Sequence, residues 1–351
     1  MIKILIAIIT IISTIGASAQ NVNIPDANFK AYLVGDSTIN TNYDSQIQVS
    51  EASSFEGTID CSNMNISDLT GIEAFTAVTM LFCETNNLTQ IDVTKNVALF
   101  RFYCNGNSLS QIDVTQNTAL NMFYCQENNL TEIDLSKNAA LMFFFCYDNS
   151  ISTLDFTNNP MLRTVWCFDN ILTTLTLTSN PGLQRLFCYD NLLTELDVHN
   201  TSLVSFNAHN NKLTSLNMAN NYNHKLTSPN FSIMENPDLT CVKVDDVAYS
   251  TTNWTNIEAG VNFSLGCSSV GTREEVNNFN FSMYPNPAIN YLTIDFEGKA
   301  ISLVISDATG KIVKTTKSSN KTVDVSSLTK GIYFLQMQTD KGLISKRFIK
   351  K

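Results

Sequence analysis

Histidine is scarce in this chain of 351 residues, which contains only three, and the patterns of common catalytic sites are missing. His199, His209 and His224 accompany no nucleophile or partner pattern. No H-E-x-x-H, G-x-S-x-G, phosphate-binding loop or dinucleotide fingerprint occurs. The 32 acidic residues are numerous enough that a glycosidase-type pair of catalytic carboxylates is not excluded by their number. Most of them, however, recur at the same position of successive repeats, which is typical of a repeated structural position and not of a single catalytic site. We therefore predict a protein that is not an enzyme.

Long apolar runs are also scarce, and the one near the start has the form of an export signal. In MIKILIAIITIISTIGASAQ a single Lys3 precedes the apolar run, and Ala17-Ser18-Ala19 before Gln20 fits a small-x-small cleavage site. We predict a secretory signal peptide at residues 1–19. No stretch of about 18 apolar residues follows, so we predict no membrane span in the mature chain.

Positive charge is sparse in most of the chain. Residues 20–271 contain 9 Lys+Arg against 25 Asp+Glu, whereas residues 272–351 contain 12 against 7. The acidic part lacks the positive face that nucleic acid or an anionic membrane requires, so we predict neither as its partner. The change of sign also indicates a domain boundary near residue 271.

Cysteine, by contrast, recurs at a fixed spacing. Six cysteines are 21 residues apart, and Cys61 stands 22 residues before the first of them. These six are Cys83, Cys104, Cys125, Cys146, Cys167 and Cys188. Aligned on them, the sequence repeats L-x-x-F-x-C-x-x-N-x-L-x-x-I-x-V-x-x-N. A shorter unit has Ala208 in the cysteine column, and residues 231–239 keep the pattern of a second half-unit.

This pattern resembles the leucine-rich repeat family over residues 58–245. The resemblance implies a solenoid of parallel β coils, in which each unit buries its apolar residues only against its neighbours. The L-x-C segments predict parallel strands about 4.8 Å apart. The asparagine three positions after each cysteine is predicted to turn the chain and satisfy backbone groups inside the coil. This ladder is Asn107, Asn128, Asn149, Asn170 and Asn191.

The cysteines of the repeat are predicted to be structural. Strand alternation places them on the inner face, where a free cysteine packs as a small hydrophobe. Parallel Cβ vectors do not suit a disulfide, whose Cβ atoms lie about 3.8 Å apart, and no C-x-x-C pair or in-register histidine indicates a metal. Cys241 and Cys267 lie outside the column. They resemble the disulfide-bearing cap that closes the last coil in secreted members of the family.

Two features precede the repeats. Residues 24–33, IPDANFKAYL, predict a short amphipathic helix, with Pro25 near its first turn, that covers the first coil. Residues 40–51 have the spacing of an EF-hand-type calcium loop, but Asn40 replaces Asp and Ser45 replaces Gly. A weak calcium site and a degenerate loop that turns without metal both remain open. The candidate ligands are Asn40, Asn42, Asp44, Gln46 and Glu51.

The outward strand positions carry the candidate binding surface, since function in this family usually lies on the concave strand face. The residues before the cysteines are Phe82, Tyr103, Tyr124, Phe145, Trp166 and Phe187, and those after the later cysteines are Tyr147, Phe168 and Tyr189. Just beyond lie Glu127, Asp148, Asp169 and Asp190. Aromatic pairing can simply stabilise the ladder, but an apolar patch of this extent is typical of an interaction site.

A second carboxylate column is predicted on the outer segment of each coil. It comprises Asp92, Asp113, Asp134, Asp155 and Asp197, with Thr176 in register. We expect a solvated face there, with a cation-binding ladder as the alternative.

The C-terminal segment has strand-like alternation, which predicts a small β-sandwich. YPNPAINYLTI, DATGKIV, VDVSSLTKGIYFLQM and the basic end KRFIKK resemble the type IX secretion sorting domain, an Ig-like sandwich. The positions that match its motif are Tyr284, Pro285, Asn286, Pro287, Gly331, Ile332 and Tyr333. The resemblance implies that type IX secretion machinery carries the chain across the outer membrane of a Gram-negative cell.

The predicted organisation is a signal peptide (1–19), an N-terminal cap with the EF-hand-like loop (20–57), leucine-rich repeats (58–245), a C-terminal cap (246–270), a linker (271–283) and the sorting domain (284–351). We predict a secreted or surface-displayed, non-catalytic binding protein, an adhesin or capture protein whose ligand is a protein or a glycan. A structural spacer without a specific ligand is the alternative. We predict no cofactor other than the calcium considered above.

Overall fold

The computed structural model describes residues 20–267, 281–296, 300–307, 311–316, 322–339 and 342–351. The predicted signal peptide and most of the predicted linker lie outside these residues. The chain divides into two compact units, Met1–Ser268 and Ser269–Lys351. The finer domain bounds given above stay predictions.

The first unit is a solenoid whose coils each add one short strand to a common sheet. Its strands are β1 (Thr58–Asp60), β2 (Met80–Phe82), β3 (Arg101–Tyr103), β4 (Met122–Tyr124), β5 (Phe143–Phe145), β6 (Thr153–Asp155), β7 (Thr164–Trp166), β8 (Thr174–Thr176), β9 (Arg185–Phe187), β10 (Glu195–Asp197), β11 (Ser205–Asn207), β12 (Ser215–Asn217), β13 (Phe231–Ser232), β14 (Cys241–Lys243) and β15 (Asn262–Ser264). The main sheet has nine parallel strands in the order β1-β2-β3-β4-β5-β7-β9-β11-β13. The predicted leucine-rich repeat solenoid is confirmed.

The opposite side of the solenoid is less regular. β6 pairs with β8, and β10, β12, β14 and β15 form a four-stranded parallel sheet. The equivalent segments of earlier coils, such as residues 91–93 and 112–114, form no strand. Only the later coils are therefore hydrogen-bonded as sheets on both sides.

The interior is a continuous apolar core that contains the repeat cysteines. All seven cysteines from Cys61 to Cys188 are free and buried. Burial raises the pKa of the Cys61 and Cys188 thiols to about 12 and the pKa of the others above its ordinary value as well. The thiols therefore stay protonated at neutral pH and fill space, as predicted for a reduced ladder.

Two asparagine ladders satisfy backbone groups inside the coils. Asn128 Nδ2 donates to the carbonyls of Cys104 and Cys125 at 3.1 Å, and its Oδ1 accepts from the Leu109 amide at 2.9 Å. The other members of the predicted ladder make equivalent bonds, which confirms it. A second ladder was not predicted: Asn96, Asn117, Asn138, Asn159 and Asn180 are completely buried. Each donates to two backbone carbonyls of the preceding coil, 21 and 24 residues earlier in the chain.

Residues 231–239 differ from the prediction. Phe231 pairs with Phe206 in the main sheet, and Asn236 donates to the carbonyls of Ala208 and Ile233. These are the contacts of the strand-bearing first half of a coil, so the prediction of a second half was wrong. Both halves share the spacing apolar-x-apolar-x-x-Asn, and the sequence pattern alone does not separate them.

Both ends of the solenoid are covered by helical segments. α1 (Ala27–Gly35) begins after Asp26, whose carboxylate accepts from the amides of Asn28 and Phe29, and it buries Phe29 and Leu33. Pro25 directly precedes the N-cap residue Asp26 and so lies near the first turn of the helix, as predicted. α2 (Val49–Ser54) and a 3₁₀ turn (Ile72–Ala74) complete this cap.

The far end contains a second 3₁₀ turn (Asn223–Lys225) and α3 (Val247–Asn253). Cys241 and Cys267 form a disulfide there, with Cα atoms 5.7 Å apart, which confirms the predicted pair. Because Cys241 lies in β14, the disulfide ties the segment after β15 back to the sheet.

The second unit consists of two antiparallel sheets. Its strands are β16 (Phe281–Tyr284), β17 (Tyr291–Phe296), β18 (Ala300–Asp307), β19 (Ile312–Thr316), β20 (Thr322–Asp324), β21 (Gly331–Thr339) and β22 (Gly342–Lys350). One sheet has the order β16-β17-β20 and the other β19-β18-β21-β22. Side chains such as Leu292, Leu335 and Phe348 form one core. The predicted all-β C-terminal domain is confirmed.

Candidate ligand-binding surface

The main sheet brings six predicted aromatic residues into one continuous stack. Parallel pairing places each ring beside the ring of the next coil, from Phe82 on β2 to Phe187 on β9. The first four centroid separations are 4.6, 4.2, 4.3 and 4.3 Å, and the last, between Trp166 and Phe187, is 5.7 Å. We call these six residues the ring stack. Their side chains are half-buried, and Phe102 and Cys104 beside Tyr103 point inward.

A second, shorter column of rings lies next to the ring stack. Tyr147, Phe168 and Tyr189 stack with centroids 4.4 Å apart, and Tyr147 lies 6.4 Å from Trp166. His209 extends this column at 4.6 Å from Tyr189 and was not predicted to belong to it. Its position after Ala208, which occupies the cysteine column, is the sequence signal that would have identified it. The nine predicted rings and His209 thus form one surface.

The hydroxyl groups along this surface are partly shielded from water. Burial raises the pKa of Tyr124 to about 12, and hydrogen bonding to Tyr103 contributes to the shift. The Tyr103 hydroxyl donates to Met122 Sδ at 3.4 Å. Burial also raises the pKa of Tyr147 and Tyr189, with neighbouring carboxylates adding to it. At neutral pH the surface therefore offers uncharged ring edges and phenol groups.

A row of carboxylates follows the second ring column at the ends of the strands. We call Glu127, Asp148, Asp169 and Asp190 the acidic row. All four have left-handed backbone conformations, with φ between 49° and 57°. Burial raises the pKa of Asp169, and repulsion from Asp190 and Asp148 raises it further. The row is therefore a site where like charges are held together.

Among the described residues, only the two ends of the acidic row have side-chain partners. Asp190 accepts from Asn210 and lies 3.8 Å from His209 Nε2, and Glu127 accepts from the Tyr147 hydroxyl at 3.5 Å. Within the described part of the chain, the carboxylates of Asp148 and Asp169 accept no hydrogen bond. They are exposed and free to meet a ligand.

The predicted Asp column occupies the opposite side of the coils, and its carboxylates are engaged. Asp113 Oδ1 accepts from the Thr115 amide at 2.8 Å and from its hydroxyl at 2.7 Å, and Asp92 and Asp155 bind the threonine two residues on in the same way. Asp134 accepts from the Ser136 amide, and Asp197 from the His199 amide. These hydrogen bonds lower the pKa of Asp92 and Asp134. The column closes local turns.

The EF-hand-like loop is held together by its own hydrogen bonds. Glu51 is buried and accepts from the amides of Thr41, Asn42 and Gln48 and from the Thr41 hydroxyl. Asp44 accepts from Gln46 and Gln48, among others. Asn40 Nδ2 donates to two carbonyls, while its buried Oδ1 has no partner within the described residues.

This arrangement fits the loop without metal better than the calcium site. Lys30 Nζ donates to Gln46 Oε1 at 2.9 Å, so a cation already contacts one candidate ligand. Both candidate carboxylates are occupied by protein donors, and calcium would have to displace several of these hydrogen bonds. Among the described residues, no group of three or more His, Cys, Asp or Glu side chains is placed to hold a metal ion. Calcium binding at this loop stays a prediction.

The predicted sorting-motif residues hold the second unit together. Asn286 Oδ1 accepts from the Ile349 amide at 2.9 Å, and the backbone of Ala288 bonds to Ile349 and Lys351. Tyr333 is buried, and its hydroxyl donates to the Thr329 carbonyl at 2.9 Å. Tyr284 is exposed. The motif therefore fastens the basic C-terminal strand to the sandwich and leaves Tyr284 on its surface.

Coils with a 21-residue period, inward cysteine and asparagine ladders and outward rings define a leucine-rich repeat solenoid. Residues 282–351 match the family of secretion system C-terminal sorting domains. The chain is thus a leucine-rich repeat protein with a type IX secretion sorting domain, which directs it to the cell surface or into the medium. No helix in the described part of the chain is long and apolar enough to cross a membrane.

Several solved leucine-rich repeat structures are similar to this chain. The functional domain of InlJ from Listeria monocytogenes, described as including a cysteine ladder, is 19% identical over 95% of this chain and 100% of its own, with a TM-score of 0.35. Internalin C2 from the same organism is 18% identical over 53% of this chain and 98% of its own, with a TM-score of 0.36. The leucine-rich repeat domain of APL1 is 17% identical over 57% and 60%, with a TM-score of 0.43. None of the curated proteins matches this chain in sequence.

Proposed function

We propose that this exported protein is a non-catalytic capture protein, of the adhesin type, that binds another protein through the ring stack and the adjoining ring column. The observation that carries the proposal is the extent of this surface. Ten rings, His209 included, lie on one side of the main sheet in two adjoining columns that span consecutive coils. Aromatic residues are preferred anchors of protein interfaces, and apolar surface of this extent usually marks a contact site.

The orientation of the rings favours a protein over a glycan. A sugar ring packs against an open aromatic face, but inside the ring stack each face is covered by its neighbour at 4.2–4.6 Å from Phe82 to Trp166. What the stack presents outward is ring edges, which carry partial positive charge and attract carbonyl oxygens. A polypeptide supplies both carbonyl oxygens and apolar side chains to such an edge. Glycan capture is thus the weaker of the two binding functions.

The close stacking also supports the alternative of a spacer protein without a specific ligand. In register on parallel strands, aromatic pairs stabilise a sheet by themselves. The two functions differ in what removal of the rings does: a spacer loses stability only, whereas a capture protein also loses its partner.

The test is a binding screen of the chain from Gln20 onward against protein arrays and glycan arrays. We expect protein ligands that are lost in the variant Tyr103→Ala/Tyr124→Ala/Trp166→Ala. The matched control is Phe100→Ala/Met161→Ala, which removes exposed apolar side chains outside the ring surface and should retain the ligands. If the triple variant keeps its circular dichroism spectrum and every interaction, the rings stabilise the ladder only. A profile of glycan ligands alone would support the glycan-binding alternative.

A further inference from the structure

The acidic row places negative charge beside the ring surface. Asp148 and Asp169 are exposed, and no side chain or amide among the described residues donates a hydrogen bond to them. The backbone does not need a carboxylate at these positions, because glycine and asparagine adopt positive φ at least as readily as aspartate does. Gly106 and Asn210 occupy the same position in two other coils. The negative charge in between therefore serves something other than the turn.

Buried acceptors without partners lie on the same surface. Gln126, which directly precedes Glu127 of the acidic row, is only 8% exposed, and its Oε1 has no partner within the described residues. Glu84, two coils earlier in the same outward column, likewise has an unpartnered Oε2. A buried acceptor without a donor is costly, so native structures nearly always supply one. Both oxygens are enclosed by the protein, so a ligand on the ring surface reaches them only when the Gln126 and Glu84 side chains turn outward.

Charge across the main sheet is asymmetric. Arg101 and Arg185 lie at the start of their strands, whereas the acidic row lies beyond the strand ends. The ring stack runs between these two edges. A ligand that contacts the rings therefore meets positive charge at one edge and negative charge at the other, and the negative edge is the one with free acceptors.

We propose that the partner of the ring surface is an extended polypeptide segment rich in arginine and lysine, with its cationic side chains along the acidic row. Arginine and lysine supply several donors each and no acceptor, which is the complement of the free oxygens of Asp148 and Asp169. The aliphatic stems of these side chains pack on ring edges while their charged ends reach the carboxylates. This inference rests on the proposed function and specifies the class of its partner.

The test uses a fluorescein-labelled peptide of about ten residues that alternates arginine with glycine, titrated with the chain from Gln20 onward. We expect saturable binding that weakens about ten-fold or more when NaCl rises from about 50 to about 500 mM, since exposed charges are screened over that range. A glutamate–glycine peptide of the same length should not bind. Fluorescence anisotropy reports both affinities.

The decisive variants are Asp148→Asn/Asp169→Asn and, as a control, Asp113→Asn/Asp134→Asn. Each removes two charges from the array, and asparagine keeps both the positive φ of the acidic row and the turn-closing oxygen of the Asp column. We expect the first variant to weaken peptide binding by about five-fold or more and the control by less than about two-fold. Equal losses in both variants, or no binding of the arginine peptide, would overturn the proposal.

Failure of this inference is distinguishable from failure of the proposed function. If protein ligands from the array screen are lost in the ring variant but unaffected by Asp148→Asn/Asp169→Asn and by salt, the ring surface binds proteins and the basic class is wrong. If the ring variant retains those ligands, the proposed function itself is wrong.

Discussion

The two faces of the solenoid carry carboxylates at the same period but use them differently. On the side opposite the main sheet, Asp113 and its equivalents accept hydrogen bonds from the residue two positions on. At the strand ends of the main sheet, Asp148 and Asp169 accept none from described residues and repel one another. A column of acidic residues at the repeat period can therefore either close turns or remain available to a ligand. What distinguishes a structural column from a candidate binding row is whether the protein itself supplies the donors.

The largest loss of stability is expected from damage to the interior that both faces share. Asn128→Ala removes four hydrogen bonds and leaves the Leu109 amide without this acceptor, while the carbonyls of Cys104 and Cys125 keep second donors in Asn107 and Asn149. We expect a loss of about 3 kcal/mol or more in unfolding free energy, because each lost hydrogen bond contributes about 0.5–1.5 kcal/mol and one unsatisfied buried amide costs about 1–3 kcal/mol more. Urea denaturation measures the loss. The control Asn129→Ala, on an exposed side chain, should be nearly neutral, and equal losses would contradict the ladder's role.

The second prediction separates stacking from surface chemistry on the ring side. Tyr124→Thr removes two ring contacts, to Tyr103 and to Phe145. We expect a loss of about 1–3 kcal/mol, since aromatic pairs contribute about 0.5–1.5 kcal/mol each. Tyr124→Phe keeps both contacts and should lose much less. Similar losses for the two variants in thermal unfolding would show that the hydroxyl, and not the stack, supplies the stability.

The third prediction concerns the Asp column. Asp134→Ala should cost about 0.5–1 kcal/mol at neutral pH, because it removes a turn-closing acceptor at an exposed site. The pKa of Asp134 is lowered in the folded chain, so its contribution is present above the ordinary value of 3.8 and is lost as the pH falls through the folded value. The difference between variant and parent should therefore shrink in acid. A cost that grows in acid would contradict this assignment.

For Asp169 we expect that removing the charge stabilises the fold, the opposite of the effect at Asp134. The pKa of Asp169 is raised, so this group favours the folded state below 3.8 and its repulsion appears as the pH rises through the folded value. Asp169→Asn should thus stabilise the chain at neutral pH by less than about 1 kcal/mol, given its exposure. The gain should vanish in acid. A destabilising Asp169→Asn would show that the carboxylate has a structural partner after all.

The smallest effect is expected at the EF-hand-like loop, where the carboxylates resemble those of the Asp column. Protein donors already occupy both oxygens of Glu51. We expect EDTA and added calcium to leave the thermal unfolding midpoint unchanged, whereas a bound ion would raise it with calcium concentration. A calcium-dependent rise that Glu51→Gln removes would establish the metal site.

Much of this architecture is readable from sequence because a solenoid repeats its environment in every coil. The cysteine period gave the register, and alternation then separated inward Cys104 from outward Tyr103. Within the coils one local rule applies to every unit, so repetition turns a weak pattern into a strong one. The pairing of Cys241 with Cys267 was implied by the resemblance to disulfide-capped leucine-rich repeat proteins.

The features that the sequence did not reveal depend on contacts between coils. The role of Asn138 requires knowing which carbonyls of the preceding coil lack a donor. The place of His209 requires register across a shortened unit, and the place of Phe231 requires knowing which half of the coil it belongs to. Asp113 accepts hydrogen bonds from Thr115, whereas Asp148 accepts none from described residues. This difference depends on backbone conformation, and in the sequence both residues are aspartates that recur at the repeat period.

The most direct test of the central claim, that the ring surface is where a partner binds, is the accessibility of Trp166. This side chain lies half-buried within the ring stack, and Trp254, the second of the two tryptophans, is completely buried at the far cap. Acrylamide quenching should therefore report Trp166 almost alone. Addition of a protein ligand identified by the array screen should protect this fluorescence from quenching. Saturating ligand that leaves the quenching constant unchanged would contradict the account.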